Sequence, residues 1–271
     1  MISDQINNLS QYFKDKKVVI AFSGGIDSTV LLEFALQSAK EVLAVTVKSS
    51  LVPMDEMDFA VQYLQSRDIP YKLLQVNPLD HPNVANNDIR RCYYCKRLIF
   101  ESIIDETKEF TPDIIVEGSN VSDLSDYRPG MEAVKELSIK SPFLELNLSK
   151  KEIRGLSKIM SLEISEKPAT TCLATRIPYG QEITEERLKK IELAESIIKE
   201  ILPISVLRVR DHREIARIEV LEEDMMKIMK SDHRNLIREK LKQLGFSYIT
   251  LDLGGYKQGS MNINIEGAKD D

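Results

Sequence analysis

The chain has 271 residues, 42% of them hydrophobic, which is long and apolar enough for two modest domains, each with its own core. A formal net charge of -6 argues against a polyanionic partner, so no nucleic acid is expected. No apolar run approaches the length of a membrane span, and the opening "MISDQINNLSQYFKDKK" is polar, so a soluble cytoplasmic protein without a membrane partner is expected.

In chain order, "KVVIAF" is an apolar, β-branched run suited to a buried parallel strand, and "DSTVLLEFALQSA" has helical spacing in Val30, Leu31, Phe34 and Ala35. The alternation continues: "EVLAVTV" reads as a strand, "MDEMDFAVQYLQSR" as a helix, "YKLLQV" as a strand and "DIIVEG" as another. Between the last two, "NNDIRRCYYCKRLIFESIIDETKEF" reads as a helix behind an Asn cap. Ser149 and Glu152 stand in capping-box spacing at the head of "LSKKEIRGLSKIM". This alternation predicts an α/β, doubly wound parallel sheet, with a boundary near Tyr179. Beyond it, Thr184 should cap the helix "ITEERLKKIELAESIIKEIL". "VLRVRD", "IARIEV" and "YITLDL" read as strands, with helices at "DMMKIMK" and "HRNLIREKLKQLG", giving a smaller α+β domain over 180–271.

The first chemical motif is "AFSGGIDS", residues 21 to 28, where a strand ends and a helix begins. Backbone N–H groups and the helix dipole meet an anion at such a place. Gly24 and Gly25 let the backbone wrap phosphate oxygens, Ser23 and Ser28 offer hydroxyls, and Asp27 is a candidate to orient the loop or hold Mg2+. The lysine of a Walker A loop is missing, and so is GxGxxG. The loop resembles the PP-loop of the ATP pyrophosphatase superfamily, which implies an adenine nucleotide alpha hydrolase-like fold and cleavage of ATP between its α- and β-phosphates.

The chain has three cysteines. Cys92 and Cys95 share one face of the predicted helix, and Cys172 lies in "KPATTCLATRIPYG", bracketed by Pro168 and Pro178 and expected to be a loop. Three thiols suit iron–sulfur or zinc; a redox dithiol and three inert cysteines are the other readings. Arg90, Arg91, Lys96 and Arg97 are expected to crowd the pair with positive charge. The histidines, His81, His212 and His233, are scattered and add no ligand set.

"AFSGGIDS", "RRCYYCK", "EGSNVSDLSDYRPG", "KPATTCLATRIPYG", "VLRVRDH" and "DLGGYKQGSMN", in this order, resemble the LarE-type sulfur transferases of nickel-pincer cofactor synthesis. The resemblance implies adenylation of a carboxylate of pyridinium-3,5-biscarboxylic acid mononucleotide, release of AMP and pyrophosphate, and conversion to a thiocarboxylate. The best-known members give up the sulfur of one cysteine in the loop matching "TTCLATR". With its CxxC this chain resembles instead the subgroup in which three cysteines, here Cys92, Cys95 and Cys172, hold a [4Fe-4S] cluster that carries sulfide. ATP, Mg2+ and a sulfide donor are the implied partners, and a homo-oligomer is expected.

Among supporting residues, Gly118 follows a predicted strand where backbone can approach the nucleotide. Asp126, Tyr127 and Arg128 are expected to line the site. Arg208 and Arg210 alternate on a predicted strand, so both should face the substrate phosphate, with Arg176 a further candidate for an anionic group. A [4Fe-4S]-dependent tRNA thiolase and a non-enzymatic ATP-binding iron–sulfur sensor are the alternative functions.

Overall fold

Val18, Val19 and Ile20 stand in a row and are fully buried at the centre of β1 (Lys17–Ala21). A continuous apolar run suits a strand covered on both faces. The computed structural model describes residues 2–125, 128–167 and 170–257. The chain divides into two compact units, Met1–His81 with Arg90–Thr170, and Pro82–Ile89 with Thr171–Asp271.

The first unit opens with α1 (Ile2–Phe13), β1, α2 (Ile26–Ser38), β2 (Glu41–Lys48), α3 (Met54–Gln65) and β3 (Tyr71–Gln75). After α4 (Pro82–Ala85), which belongs to the second unit, it continues with α5 (Arg91–Glu106), β4 (Ile114–Val116), α6 (Gly130–Glu136), α7 (Pro142–Glu145) and α8 (Lys150–Ile159). All strand pairs are parallel and the order is β3-β2-β1-β4. The chain therefore builds outward from β1 through β2 to β3, then returns to the other side of β1. Strand order reverses between β1 and β4, and open α/β sheets bind ligands outside the carboxyl ends of strands at such a reversal. Helix α2 is buried along its first turns, from Ser28 to Ala35, so no polar face interrupts its packing.

The capping box at α8 forms as its spacing predicts: the Ser149 hydroxyl accepts from the Glu152 N–H, and Glu152 Oε2 accepts from Ser149 N at 2.8 Å. The expected Asn cap before the CxxC helix does not form. Helix α5 starts behind Arg90, without a side-chain cap bond. Asn87 instead takes a left-handed conformation, φ 56°, and its amide Nδ2 donates to the Ile177 and Pro178 carbonyls at 3.2 and 2.7 Å. Asparagine tolerates that conformation, the two carbonyls satisfy its buried amide N–H groups, and α5 begins only at Arg91.

The second unit holds α4, α9 (Glu185–Ile201), β5 (Leu207–His212), β6 (Ile215–Val220), α10 (Glu222–Met229), α11 (Ser231–Gln243) and β7 (Tyr248–Leu251). Thr184 Oγ1 caps α9 by accepting from Arg187 N at 3.2 Å. β5 and β6 form an antiparallel pair, and β7 joins β6 in parallel. Ile198 and Leu202 pack with Leu207, Val209, Ile218, Leu241 and Phe246 to form this unit's core.

Candidate active site

The turn between β1 and α2 is closed by its own hydroxyls. Ser28 Oγ donates to Gly25 O at 3.0 Å, lies 3.1 Å from Ser23 Oγ and accepts from Ser23 N at 3.3 Å. Thr29 Oγ1 donates to the same Gly25 carbonyl at 2.9 Å. Gly24 has φ 71°, and a Cβ there would stand 2.9 Å from Ala60 Cβ. Only glycine fits both the conformation and the space. Gly25 occupies the cap position of α2 without a side-chain cap bond, so no side chain covers the helix end where an anion binds.

Asp27, in the first turn of α2, pairs with Lys150 Nζ from the start of α8. Its other oxygen, Oδ1, is buried without a hydrogen-bond partner. Burial pushes the Asp27 carboxyl above its ordinary range, and Lys150 offsets part of that rise. An orphaned carboxylate oxygen beside a glycine-rich turn fits Mg2+, which takes one or two carboxylates and completes its shell with water and substrate phosphates. Gly118, after β4, faces the same turn: a Cβ on it would stand 2.9 Å from Asp27 Cβ and 3.2 Å from Ser28 N. Lys150 carried no motif signal.

Cys92 and Cys95 stand outside any disulfide in the first turns of α5, Cys92 exposed and Cys95 half-buried. The positive charge expected around them is largely answered by carboxylates. Arg90 pairs with Glu132 at 2.6 Å, Lys96 with Glu117 at 2.9 Å and Arg97 with Glu101 at 2.9 Å, while Arg91 is buried. Glu117 is a hub that the motif reading missed. It accepts from Lys96 Nζ at 2.9 Å, Ser119 Oγ at 2.8 Å and Ser141 Oγ at 2.6 Å. Burial would raise its carboxyl pKa, but Lys96 and the hydroxyls outweigh burial and hold it below the usual range. The CxxC helix is thereby tied through Lys96 to the residue just before Gly118. A charged residue closing the apolar run "DIIVEG" was the available signal.

In the second unit, Cys172 is exposed and precedes a short 3-10 turn, Leu173–Arg176. Arg176 is 1% exposed and holds this loop from inside. Its Nε and Nη2 donate to Glu195 of α9 at 2.9 and 3.1 Å. Its Nη1 donates to Thr171 O at 2.9 Å and Thr171 Oγ1 at 2.7 Å, and lies 3.1 Å from Cys172 O. Glu195 also accepts from Val209 N at 2.9 Å, so one carboxylate joins the cysteine loop, α9 and β5.

Arg208 and Arg210 alternate along β5 and are both buried. Arg210 donates to Glu219 Oε2 at 2.6 Å and to Thr175 O at 2.8 Å. Arg208 donates to Leu207 O at 2.7 Å, and its guanidinium lies over the Tyr256 ring. Burial, with the neighbouring charge of Arg176, pulls the Arg208 pKa down. Glu219 takes a second arginine, Arg217, at 3.1 Å. Elsewhere, Arg128 pairs with Asp123 at 2.9 Å. Asp126 and Tyr127 lie outside the described residues, as does the end of "DLGGYKQGSMN".

Among the described residues, no three or more His, Cys, Asp or Glu side chains form a group that could hold a metal ion. In kind the donors suit a thiolate-held cluster: Cys92 and Cys95 lie three residues apart on one helix, and Cys172 is a third cysteine outside any disulfide. No helix among the described residues is long and apolar enough to cross a membrane.

Residues 1–83 match the PP-loop domain family. A pyridinium-3,5-bisthiocarboxylic acid mononucleotide synthase of Lactiplantibacillus plantarum is 31% identical over 256 residues, covering 94% of this chain and 92% of that protein. The chain belongs to the LarE-type sulfur transferase family. An uncharacterized protein of Synechocystis sp. is similar at 35% identity, over 97% of this chain and 98% of its own length. One of Methanocaldococcus jannaschii is similar at 34%, over 93% and 95%. As a LarE-type protein with a PP-loop domain, the chain binds ATP and uses it for sulfur transfer in cofactor biosynthesis.

Proposed function

We propose that this protein adenylates a carboxylate of pyridinium-3,5-biscarboxylic acid mononucleotide and converts it to a thiocarboxylate, releasing AMP and pyrophosphate. The observation that carries the ATP half is the turn at residues 23–28, built at the reversal of strand order with a buried, unpartnered Asp27 oxygen at its edge. The substrate is the one implied by the name of the Lactiplantibacillus plantarum relative.

In this reading the backbone N–H groups of Gly24 and Gly25, with the Ser23 and Ser28 hydroxyls, bind the pyrophosphate end of ATP. Gly118 leaves room for the nucleotide. Asp27 holds Mg2+, and Lys150, relieved of its carboxylate partner, balances phosphate charge. A substrate carboxylate oxygen attacks the α-phosphorus, the bond from that phosphorus to the bridging oxygen breaks, and pyrophosphate leaves. Sulfide then adds to the acyl carbon, the bond to AMP breaks, and the thiocarboxylate remains.

Arg208 and Arg210 are the proposed holders of the mononucleotide phosphate, Arg128 and Asp126 are proposed substrate-binding residues, and Arg176 keeps the Cys172 loop in shape. Cys92, Cys95 and Cys172 are the proposed ligands of a [4Fe-4S] cluster. When bound, that cluster would supply the sulfide. The CxxC standing beside Cys172, three cysteines in two of the six family-like segments, supports this reading over a sacrificial cysteine.

The test of the ATP half is product analysis. Wild-type protein with ATP, Mg2+ and the pyridinium mononucleotide should give AMP and pyrophosphate, and Asp27→Ala should abolish both while leaving the iron content unchanged. ADP and phosphate from the wild type would remove the proposal.

A further inference from the structure

The sheet of the second unit has two unlike faces. Val209, Ala216, Ile218 and Val220 belong to the core, and alternation sends their strand neighbours to the opposite side. That opposite face carries Arg208, Arg210 and His212 from β5, with Arg217 and Glu219 from β6. Register sets Arg210 directly across from Arg217, and His212 one step along, across from Ile215. Like charges facing each other across a strand pair repel. Glu219 offsets the repulsion by accepting from Arg210 at 2.6 Å and pairing with Arg217 at 3.1 Å, and Asp252 takes Arg217 at 2.8 Å. His212 is half-buried, and its Nε2 is buried without a hydrogen-bond partner. Such a nitrogen is costly to bury unless a ligand answers it.

We propose that His212 is a binding residue that closes, with Arg210 and Arg217, a site for a phosphate monoester, and that it takes up a proton from solvent when the anion arrives. This inference rests on the reading that the β5 arginines hold the mononucleotide phosphate. Alternate residues of a strand stand about 7 Å apart and diagonal neighbours about 7–8 Å, so long side chains at these three positions converge on one anion. The Arg210 side chain is 5% exposed and that of Arg217 29%, so solvent reaches this face from the end where His212 stands.

In the free protein, burial and then Arg217 and Arg210 hold the imidazole below its ordinary pKa, against the pull of Asp211 and Glu219. The ring is therefore neutral at pH 7. A phosphate dianion against it reverses the balance and favours the imidazolium, which donates to a phosphate oxygen. Linkage gives the sign: the complex holds the proton more tightly than the free protein. Affinity therefore falls as pH rises between the two midpoints, by up to about tenfold per unit.

The test follows the ring C2 protons of the three histidines of the full-length protein by NMR as pH is raised, the His212 signal being the one missing from His212→Gln. Adding the pyridinium mononucleotide should raise the His212 midpoint by about one pH unit or more and leave His81 and His233 where they are. Calorimetry at pH 7 in two buffers of different ionisation enthalpy should show roughly half to one proton taken up per ligand bound. His212→Gln keeps an amide donor that does not titrate, so its uptake should vanish and its affinity above pH 7 should stop depending on pH. An unmoved His212 midpoint with the mononucleotide bound overturns the inference and spares the substrate reading. Ribose 5-phosphate separates the two in the other direction: a midpoint raised by ribose 5-phosphate, with no binding of the mononucleotide, supports the anion site and removes the substrate reading. No movement with either ligand overturns the inference.

Discussion

Arg176 heads the largest fully buried side chains among the described residues, so its charge must be answered where it stands. Glu195 answers it through two bonds while also accepting from β5, and the pair is 1% and 8% exposed. Removing one partner of such a pair leaves an uncompensated buried charge, at a cost of about 3–5 kcal/mol. Glu195→Gln should therefore destabilise the second unit by about that amount in urea denaturation, whereas Glu132→Gln, which breaks an exposed, solvent-screened pair with Arg90, should leave the midpoint nearly unchanged. Equal losses in the two variants would contradict the role given to Arg176. That an arginine sits near Cys172 was legible in "TTCLATR"; its burial was not, because the carboxylate that neutralises it comes from α9.

At the scale of elements, the strand, glycine turn and helix over 17–38 follow from local chemistry, as do the Ser149 and Thr184 caps, and all were readable. The partners across the site were not. Lys150 lies 123 residues from Asp27, and no spacing rule connects them. The Asn cap failed because α5 begins at Arg91, four residues beyond Asn87. Two glycines separate site geometry from backbone propensity. Gly118→Ala must push its new Cβ against Asp27 and Ser28 N, so ATP binding should weaken about tenfold or more, which is the measure of 1–3 kcal/mol of local strain. Gly155→Ala in α8 meets nothing within 4 Å and should stabilise the first unit by about 0.5–1 kcal/mol without changing ATP affinity. Calorimetric titration with ATP and a thermal melt of each variant distinguish these outcomes, and unchanged affinity in Gly118→Ala would show that this turn is not where ATP sits.

For the molecule as a whole, an α/β unit followed by a smaller α+β unit was legible from the alternation of strand and helix patterns. The assignment of 82–89 to the second unit was not, since its eight residues carry no core pattern of their own and are held by hydrogen bonds from 177–183. In the proposed reaction the chain transfers sulfur repeatedly and emerges chemically unchanged. The most direct test is anaerobic reaction of iron-loaded protein with ATP, Mg2+, the mononucleotide and a sulfide source, counting thiocarboxylate per chain and weighing the intact protein afterwards. More than one sulfur should be delivered per chain, with Cys172 unaltered in mass. Product that stops at one sulfur per chain, together with a Cys172 lighter by the elements of hydrogen sulfide, would contradict it.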